Sequence, residues 1–185
     1  MFLKEINPPE FLHDIHGSTT TVLDVMLSYL GGVIAMGSVY VLYMQHHVDL
    51  SLWKLILLLV ISADIGAGAV ANFTKGTNAY YSGDSKKKTR LGFILIHFLH
   101  PTVFFFTLDL FSWYTIGLVL GIVITTLLIN AIKTYEIQKT LAAFALVLGI
   151  SMLFILNVSN PFLLWFFPLF MIKLFIAFGI RRYNP

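Results

Sequence analysis

Six long apolar segments, separated by short polar stretches, dominate the pattern of hydrophobic and polar positions along this chain. They are placed at about 20–44, 51–74, 91–108, 113–132, 140–157 and 161–180. Each is close to the roughly 20 apolar residues that an α-helix needs to cross a bilayer. Several connections are only a few residues long, which indicates antiparallel neighbours. The pattern therefore predicts an all-α fold, a polytopic membrane bundle of six transmembrane helices.

The composition favours membrane insertion and excludes sites that depend on cysteine. The chain is 58% hydrophobic and 11% charged, whereas soluble domains have about 25% charged residues. It contains no Cys, which excludes disulfides, thiolate nucleophiles and cysteine-ligated metal centres. Residues 1–19 carry acids and Pro8-Pro9, so they are predicted to be a cytoplasmic segment at the membrane surface rather than a signal peptide. Residues 20–182 are predicted to form the six-helix transmembrane domain.

Lysine and arginine positions predict the orientation of the bundle. Ten of the twelve basic residues fall on one side, and the three loops on the other side contain none. The ten are Lys4, Lys75, Lys86, Lys87, Lys88, Arg90, Lys133, Lys139, Arg181 and Arg182. Because cytoplasmic loops are enriched in Lys and Arg, both termini and the basic loop 75–90 are expected in the cytoplasm. The expected location is the cell membrane, the inner membrane where there are two.

Three titratable residues lie within predicted spans and are candidates for catalysis. Asp64 lies in the second span, and His97 and His100 lie three residues apart on one face of the third, just before Pro101. Ionisable groups inside a bilayer are costly and commonly functional. Two His and one carboxylate suggest a divalent metal, zinc or non-haem iron, with Asp64, His97 and His100 as its ligands. Proton relay, substrate contact and hydrogen bonding between helices remain alternatives.

Six further residues are predicted to bind substrate, from positions beside the candidate site or in the basic loop. They are Asn72, Asn78, Tyr81, Arg90, Lys173 and Asp24. Asn72 shares a helix face with Asp64 and Gly68 through spacings of four residues. Lys173 is predicted to reach the inner surface, to pair with Asp64 or Asp24, or to hold a substrate anion. The basic loop is expected to attract anionic lipid headgroups, and the absence of a basic soluble domain argues against nucleic acid.

The depth of the polar residues indicates from which side a site would open. Five titratable groups within the spans fall between the predicted cytoplasmic surface and the midplane, namely Asp24, Asp64, His97, His100 and Lys173. The outer half is mainly aliphatic and aromatic. This asymmetry favours a cytoplasm-facing enzyme or binding protein that acts on a lipid or isoprenoid-type substrate. A proton-coupled transporter and an accessory subunit whose polar groups serve helix association remain alternatives. Membrane lipids are expected partners, and association with a second copy or a partner subunit fits this class of protein.

Small residues at spacings of four predict close helix packing in two places. Ala63, Ala67 and Ala71 form one row in the second span, and Gly117 and Gly121 form another in the fourth. Such rows let helix backbones approach each other closely in membranes.

Overall fold

The computed structural model describes residues 2–182, apart from the side chain of residue 84. Among these residues, two short strands, β1 (Glu5–Ile6) and β2 (Thr20–Thr21), form an antiparallel pair. All other regular structure is helical. The helices are α1 (His13–His16), α2 (Val22–Gln45), α3 (Leu52–Ala71), α4 (Lys75–Ser82), α5 (Lys87–Ile96), α6 (Leu99–Leu108), α7 (Trp113–Ala131), α8 (Tyr135–Ile155) and α9 (Pro161–Met171). A π-helical segment, Ile172–Phe178, continues α9.

Six helical spans within residues 2–182 are long and apolar enough to cross a membrane. They are α2, α3, α5 with α6, α7, α8, and α9 with its π-helical continuation. The predictions of a helical fold and of six helices that are long and apolar enough to span a membrane are therefore confirmed. The cytoplasmic location of the termini stays a prediction.

The boundaries differ from the prediction where polar residues join a helix. The fifth span begins at Tyr135 rather than near residue 140, because its first turn is polar and amphipathic. The third begins at Lys87 and is interrupted at residues 97–98, between α5 and α6. Pro101 lies one turn further on and lacks an N–H, so the His97 carbonyl accepts from the His100 N–H at 3.3 Å instead.

Residues 75–90, predicted as a basic loop, are mostly helical. Thr74 caps α4 by accepting the N–H of Thr77, and a short 3₁₀ turn, Asp84–Lys86, leads into α5. The segment is polar and basic, and the sequence alone therefore favoured a loop. The helix forms because its buried face packs against the N-terminal segment, which comprises residues 2–21.

The N-terminal segment is folded onto α4 through backbone and side-chain contacts. The Thr77 hydroxyl donates to the Ile15 carbonyl at 2.6 Å, and the Tyr81 hydroxyl donates to the Asp14 carbonyl at 3.1 Å. Gly17 has a φ of +76° and lies directly against the backbone of Gly76. A side chain at Gly17 or Gly76 would overlap with the backbone of the other segment, which cannot move aside as a flexible side chain can. Residues 2–21 are thus part of the folded domain.

Two rows of small residues have different environments. The alanine row of α3 packs closely on α2, since a Cβ at Gly32 would lie 3.0 Å from the Ala63 carbonyl oxygen and 3.2 Å from the Ala67 Cβ. Gly117 and Gly121 of α7 have no heavy atom of another element within 4 Å of an added Cβ. They line an open apolar cleft of about 660 Å³ between α7 and α8. The predicted close packing is therefore found for the alanine row but not for the glycine pair.

The last span lies at the centre of the bundle. Phe166, Phe167 and Phe170 of α9 are fully buried, and the π-helical continuation is buried almost throughout. Pro168 removes one backbone hydrogen bond from this helix. The carbonyls at its end are bound by side chains, with Arg182 donating to Ala177 at 3.0 Å. The central helix is the one that carries Lys173.

Candidate functional site

Asp64 of α3, His100 of α6 and Lys173 of the π-helical segment meet inside the bundle. These three residues are called the intramembrane cluster below. Counted along α3 at about 1.5 Å per residue, Asp64 lies roughly 18 Å from the Leu52 end and roughly 10 Å from the Ala71 end. The cluster therefore lies deep within the thickness of a bilayer whose apolar core is about 30 Å.

Lys173 supplies the positive charge of the cluster. Its Nζ lies 2.8 Å from Asp64 Oδ2, 3.1 Å from the Asp64 carbonyl oxygen and 3.2 Å from His100 Nε2. These three contacts match the three N–H donors of an ammonium group. The Lys173 side chain is only 3% exposed, so none of these donors reaches solvent or lipid. In this arrangement the ammonium has no donor left for a substrate anion.

His100 shares its Nε2 atom between the two charged residues. Nε2 contacts Asp64 Oδ2, the same oxygen that accepts from Lys173. With a hydrogen on Nε2, His100 donates to Asp64. Without that hydrogen, Nε2 accepts from Lys173. One proton therefore decides which partner the imidazole binds, and the cluster has the composition of an acid–base group.

Asp64 differs from its partners in being open to the outside of the bundle. Its side chain is 56% exposed, whereas that of His100 is 10% exposed. Among residues 2–182, no group hydrogen-bonds its second carboxylate oxygen, Oδ1. The exposed face of α3 around it carries Leu57 and Val60, which are apolar and also exposed. His100 Nδ1 also lacks a partner among the described residues but is buried, so Asp64 Oδ1 is the atom that opens sideways on this apolar surface.

Gly68 makes room for the lysine side chain. A Cβ at this position would lie 2.5 Å from Lys173 Cε and 2.7 Å from Nζ. An added side chain would force the end of the Lys173 side chain to move, so Lys173 crosses α3 at this glycine to reach Asp64. The space that Gly68 leaves is therefore filled by a side chain of the last span.

His97 lies next to the cluster without joining its hydrogen bonds. Its ring stacks on that of His100 with 4.7 Å between centroids and an angle of 16°. Its Nδ1 donates to the Phe93 carbonyl at 2.6 Å, which leaves Nε2 as an acceptor. Nε2 is buried and has no partner among the described residues. The two imidazoles therefore share a helix face, as predicted, but only His100 touches Asp64.

The predicted metal ligands come close together, yet their donor atoms do not converge. Within residues 2–182, no three His, Asp or Glu side chains are placed to hold one ion. His97 directs Nδ1 to a carbonyl, and the Lys173 ammonium contacts the atoms of Asp64 and His100 that would face an ion. In this arrangement, the side chains of Asp64, His97 and His100 do not fit a three-ligand zinc or iron site. Binding of a metal stays a prediction from the sequence.

Asn72 and Asn78 lie beyond the cluster, near the ends of α3 and α4. The Asn78 amide donates to the Ile180 carbonyl at 3.0 Å, and its oxygen accepts from the Arg182 N–H at 2.8 Å. These bonds tie α4 to the end of the last helix. Asn72 is buried next to them, and its side-chain nitrogen has no partner among the described residues. Their predicted role in binding substrate is untested, and for Asn78 the contacts are structural.

Tyr81 and Arg90 are buried and bound within the protein. The Tyr81 hydroxyl contacts Asp14, and burial, reinforced by this carboxylate, raises the pKa of the Tyr81 phenol. Arg90 donates to the carbonyls of Tyr81 at 2.6 Å and Gly83 at 2.7 Å. Arg90 thereby holds the connection between α4 and α5 in place, and Tyr81 holds the N-terminal segment against α4. Their predicted contact with headgroups stays a prediction.

Asp24 is separate from the intramembrane cluster and caps α2. Thr21 and Asp24 form a capping box, in which each side chain accepts the backbone N–H of the other. Asp24 also lines a polar pocket together with Glu5, Thr20 and Lys75. This pocket was not recognised from the sequence. Its residues lie some 50 positions apart, and only the packing of the N-terminal segment brings them together.

No protein family model matches this chain, and no curated protein or solved structure matches it either.

Proposed function

We propose that this chain is an integral membrane protein that binds a lipid alcohol at the intramembrane cluster. The substrate class is a long-chain or isoprenoid molecule with a free hydroxyl group. The observation that carries the proposal is the position of Asp64, whose open carboxylate oxygen faces the membrane at depth. A lipid-dissolved molecule reaches this atom sideways, without crossing a water-filled channel.

The charge of the cluster favours a neutral hydroxyl over charged headgroups. Asp64 and Lys173 neutralise each other, so the cluster gives no net attraction to a cation or an anion. Lys173 makes its three contacts inside the cluster and offers no donor to a phosphate. Asp64 Oδ1 offers an acceptor, and a hydroxyl is the neutral donor that matches it.

The same arrangement orients a bound hydroxyl. His100 and Lys173 bind Oδ2 of Asp64 and hold the carboxylate in place. The proposed role of Asp64 is to accept the hydrogen bond of a hydroxyl at Oδ1, and the role of the other two residues is to orient the carboxylate.

Photo-crosslinking of the whole chain in phosphatidylcholine nanodiscs tests the binding step. The probe is a diazirine analogue of farnesol, compared with its methyl ether, which lacks the donor, and its monophosphate. The alcohol is expected to label α3 and α6 near the cluster more strongly than either relative. Labelling should be lost when Asp64→Leu is combined with Lys173→Met, a pair of changes that leaves no unpaired charge.

Asp49→Asn is the matched control, because Asp49 is an exposed carboxylate in the loop before α3. This variant should label like the unaltered protein. Equal labelling by the methyl ether, or stronger labelling by the monophosphate, would contradict a site for a neutral donor. Proton uptake into proteoliposomes that depends on Asp64, without alcohol labelling, would point to proton-coupled transport instead.

A further inference from the structure

A polar pocket of about 410 Å³ lies between the N-terminal segment and α4, away from the intramembrane cluster. It is called the interfacial pocket here. Its polar lining includes Glu5, Ser18, Thr20, Asp24, Lys75 and Tyr80. Its volume falls within the range of about 300–1,000 Å³ that is typical of small-molecule sites.

The interfacial pocket lies at the level where helical spans leave the membrane. Asp24 is in the first turn of α2, and Lys75 follows the end of α3 by only four residues. The N-terminal segment beside it exposes large apolar side chains, among them Phe11 at 79% and Leu3 at 76%. Exposed apolar groups next to charged ones are typical of segments that lie in the headgroup region. The pocket is therefore open to lipid headgroups.

The charges of the interfacial pocket are mixed. Glu5 and Asp24 contribute two carboxylates, and Lys75 contributes one ammonium. Lys75 is also in the first turn of α4, where backbone N–H groups lack acceptors within the helix and attract anions. A ligand with one positive and one negative group matches this distribution, whereas a purely anionic ligand would face two carboxylates.

The buried hydroxyl of Thr20 lacks a hydrogen-bond partner, which is independent support for a ligand in the interfacial pocket. The residue is only 4% exposed, and its hydroxyl makes no hydrogen bond among the described residues. Leaving a buried hydroxyl unpaired destabilises a protein, so native structures usually satisfy such groups. Thr20 lines the interfacial pocket, and a phosphate oxygen bound there would be an acceptor for it.

We propose that the interfacial pocket binds the phosphoethanolamine headgroup of a membrane phospholipid. The ammonium of the headgroup binds Glu5 and Asp24, and its phosphate binds Lys75, Thr20 and the first turn of α4. A primary ammonium has three N–H donors for the two carboxylates, whereas the trimethylated ammonium of choline has none. This binding is independent of the alcohol site, because the two sites share no residue.

Native mass spectrometry of the full-length protein in detergent tests this proposal. The probes are short-chain phosphatidylethanolamine, phosphatidylcholine and phosphatidylglycerol, together with free phosphoethanolamine. One phosphatidylethanolamine per chain is expected to bind about tenfold more tightly than either other lipid, the fold-change typical of a lost charge-assisted hydrogen bond. Glu5→Gln should reduce this preference, because Glu5 binds the ammonium that distinguishes phosphatidylethanolamine. Lys75→Gln and Thr20→Val should instead weaken the binding of all three lipids, because both residues bind the phosphate that the lipids share.

Matched controls separate the pocket from the general charge of the surface. Glu10→Gln changes an exposed acid of the same segment, and Lys87→Gln changes an exposed lysine beyond α4. Both should retain the preference for phosphatidylethanolamine. Equal binding of the three lipids, or preferred binding of phosphatidylglycerol, would overturn the proposal. Equally tight binding of free phosphoethanolamine would overturn the assignment to a membrane lipid.

Discussion

Removing either charge of the intramembrane cluster should be far more harmful than removing both. The Lys173 side chain is 3% exposed, so Asp64→Asn leaves a buried positive charge without an anionic partner. Breaking a buried ion pair in this way costs about 3 kcal/mol or more of unfolding free energy. The loss of stability should not exceed about 4.6 kcal/mol, the free energy needed to deprotonate an ordinary lysine at pH 7. Above that value, Lys173 would fold without its proton and carry no charge.

Lys173→Met should also be costly, because it leaves a carboxylate that faces the membrane without a lysine partner. A loss of about 2.5 kcal/mol is expected, the typical cost of a charged side chain within a membrane helix. The double variant, Asp64→Asn with Lys173→Met, should lose only about 1 kcal/mol, since it has no unpaired charge. The expected coupling between the two sites is therefore about 4 kcal/mol, above the values of about 0.5–3 kcal/mol that are usual for residues in contact.

SDS-driven unfolding in dodecyl maltoside micelles, followed by circular dichroism, measures these free energies. Asp49→Asn serves as the control and should change stability by no more than about 0.5 kcal/mol. Additive losses in the double variant, or an Asp64→Asn variant as stable as the control, would refute the view that Lys173 is held by Asp64.

Three other predictions address packing, orientation and pH. Gly68→Ala should displace the ammonium of the intramembrane cluster and destabilise the protein in the same SDS unfolding assay. Gly117→Ala should instead stabilise α7 by up to about 1 kcal/mol, because an added Cβ there has no neighbour within 4 Å. Single cysteines at Gly83 and Ser159 should react with membrane-impermeant maleimide from opposite sides of oriented vesicles, and reaction from one side would refute the predicted topology. Burial lowers the pKa of His16, so the unfolded segment binds the proton more readily, and stability should fall as pH drops below about 6.5. The hydrogen-exchange protection factors of residues 2–21, which correct for the slower intrinsic exchange at low pH, should therefore fall between pH 7.5 and 5.5, and His16→Gln should remove most of that fall.

The sequence by itself determined the membrane-spanning elements. An apolar run of about 20 residues in lipid has to satisfy its own backbone hydrogen bonds, and a helix does so from local residues alone. Asp64, His100 and Lys173 could also be singled out as candidates, because ionisable groups are rare at such positions. These conclusions need only the composition and spacing of one segment at a time.

Only the tertiary structure decided which of these residues meet. Lys173 and Asp64 are 109 positions apart, and their contact depends on the space that Gly68 leaves between two helices. Residues three or four apart share a helix face, but spacing does not say which neighbour covers that face. His97 donates to the carbonyl of Phe93, and Asp24 lines the interfacial pocket, away from the intramembrane cluster. Contacts between helices depend on side-chain volumes from distant parts of the chain, and no local pattern contains them.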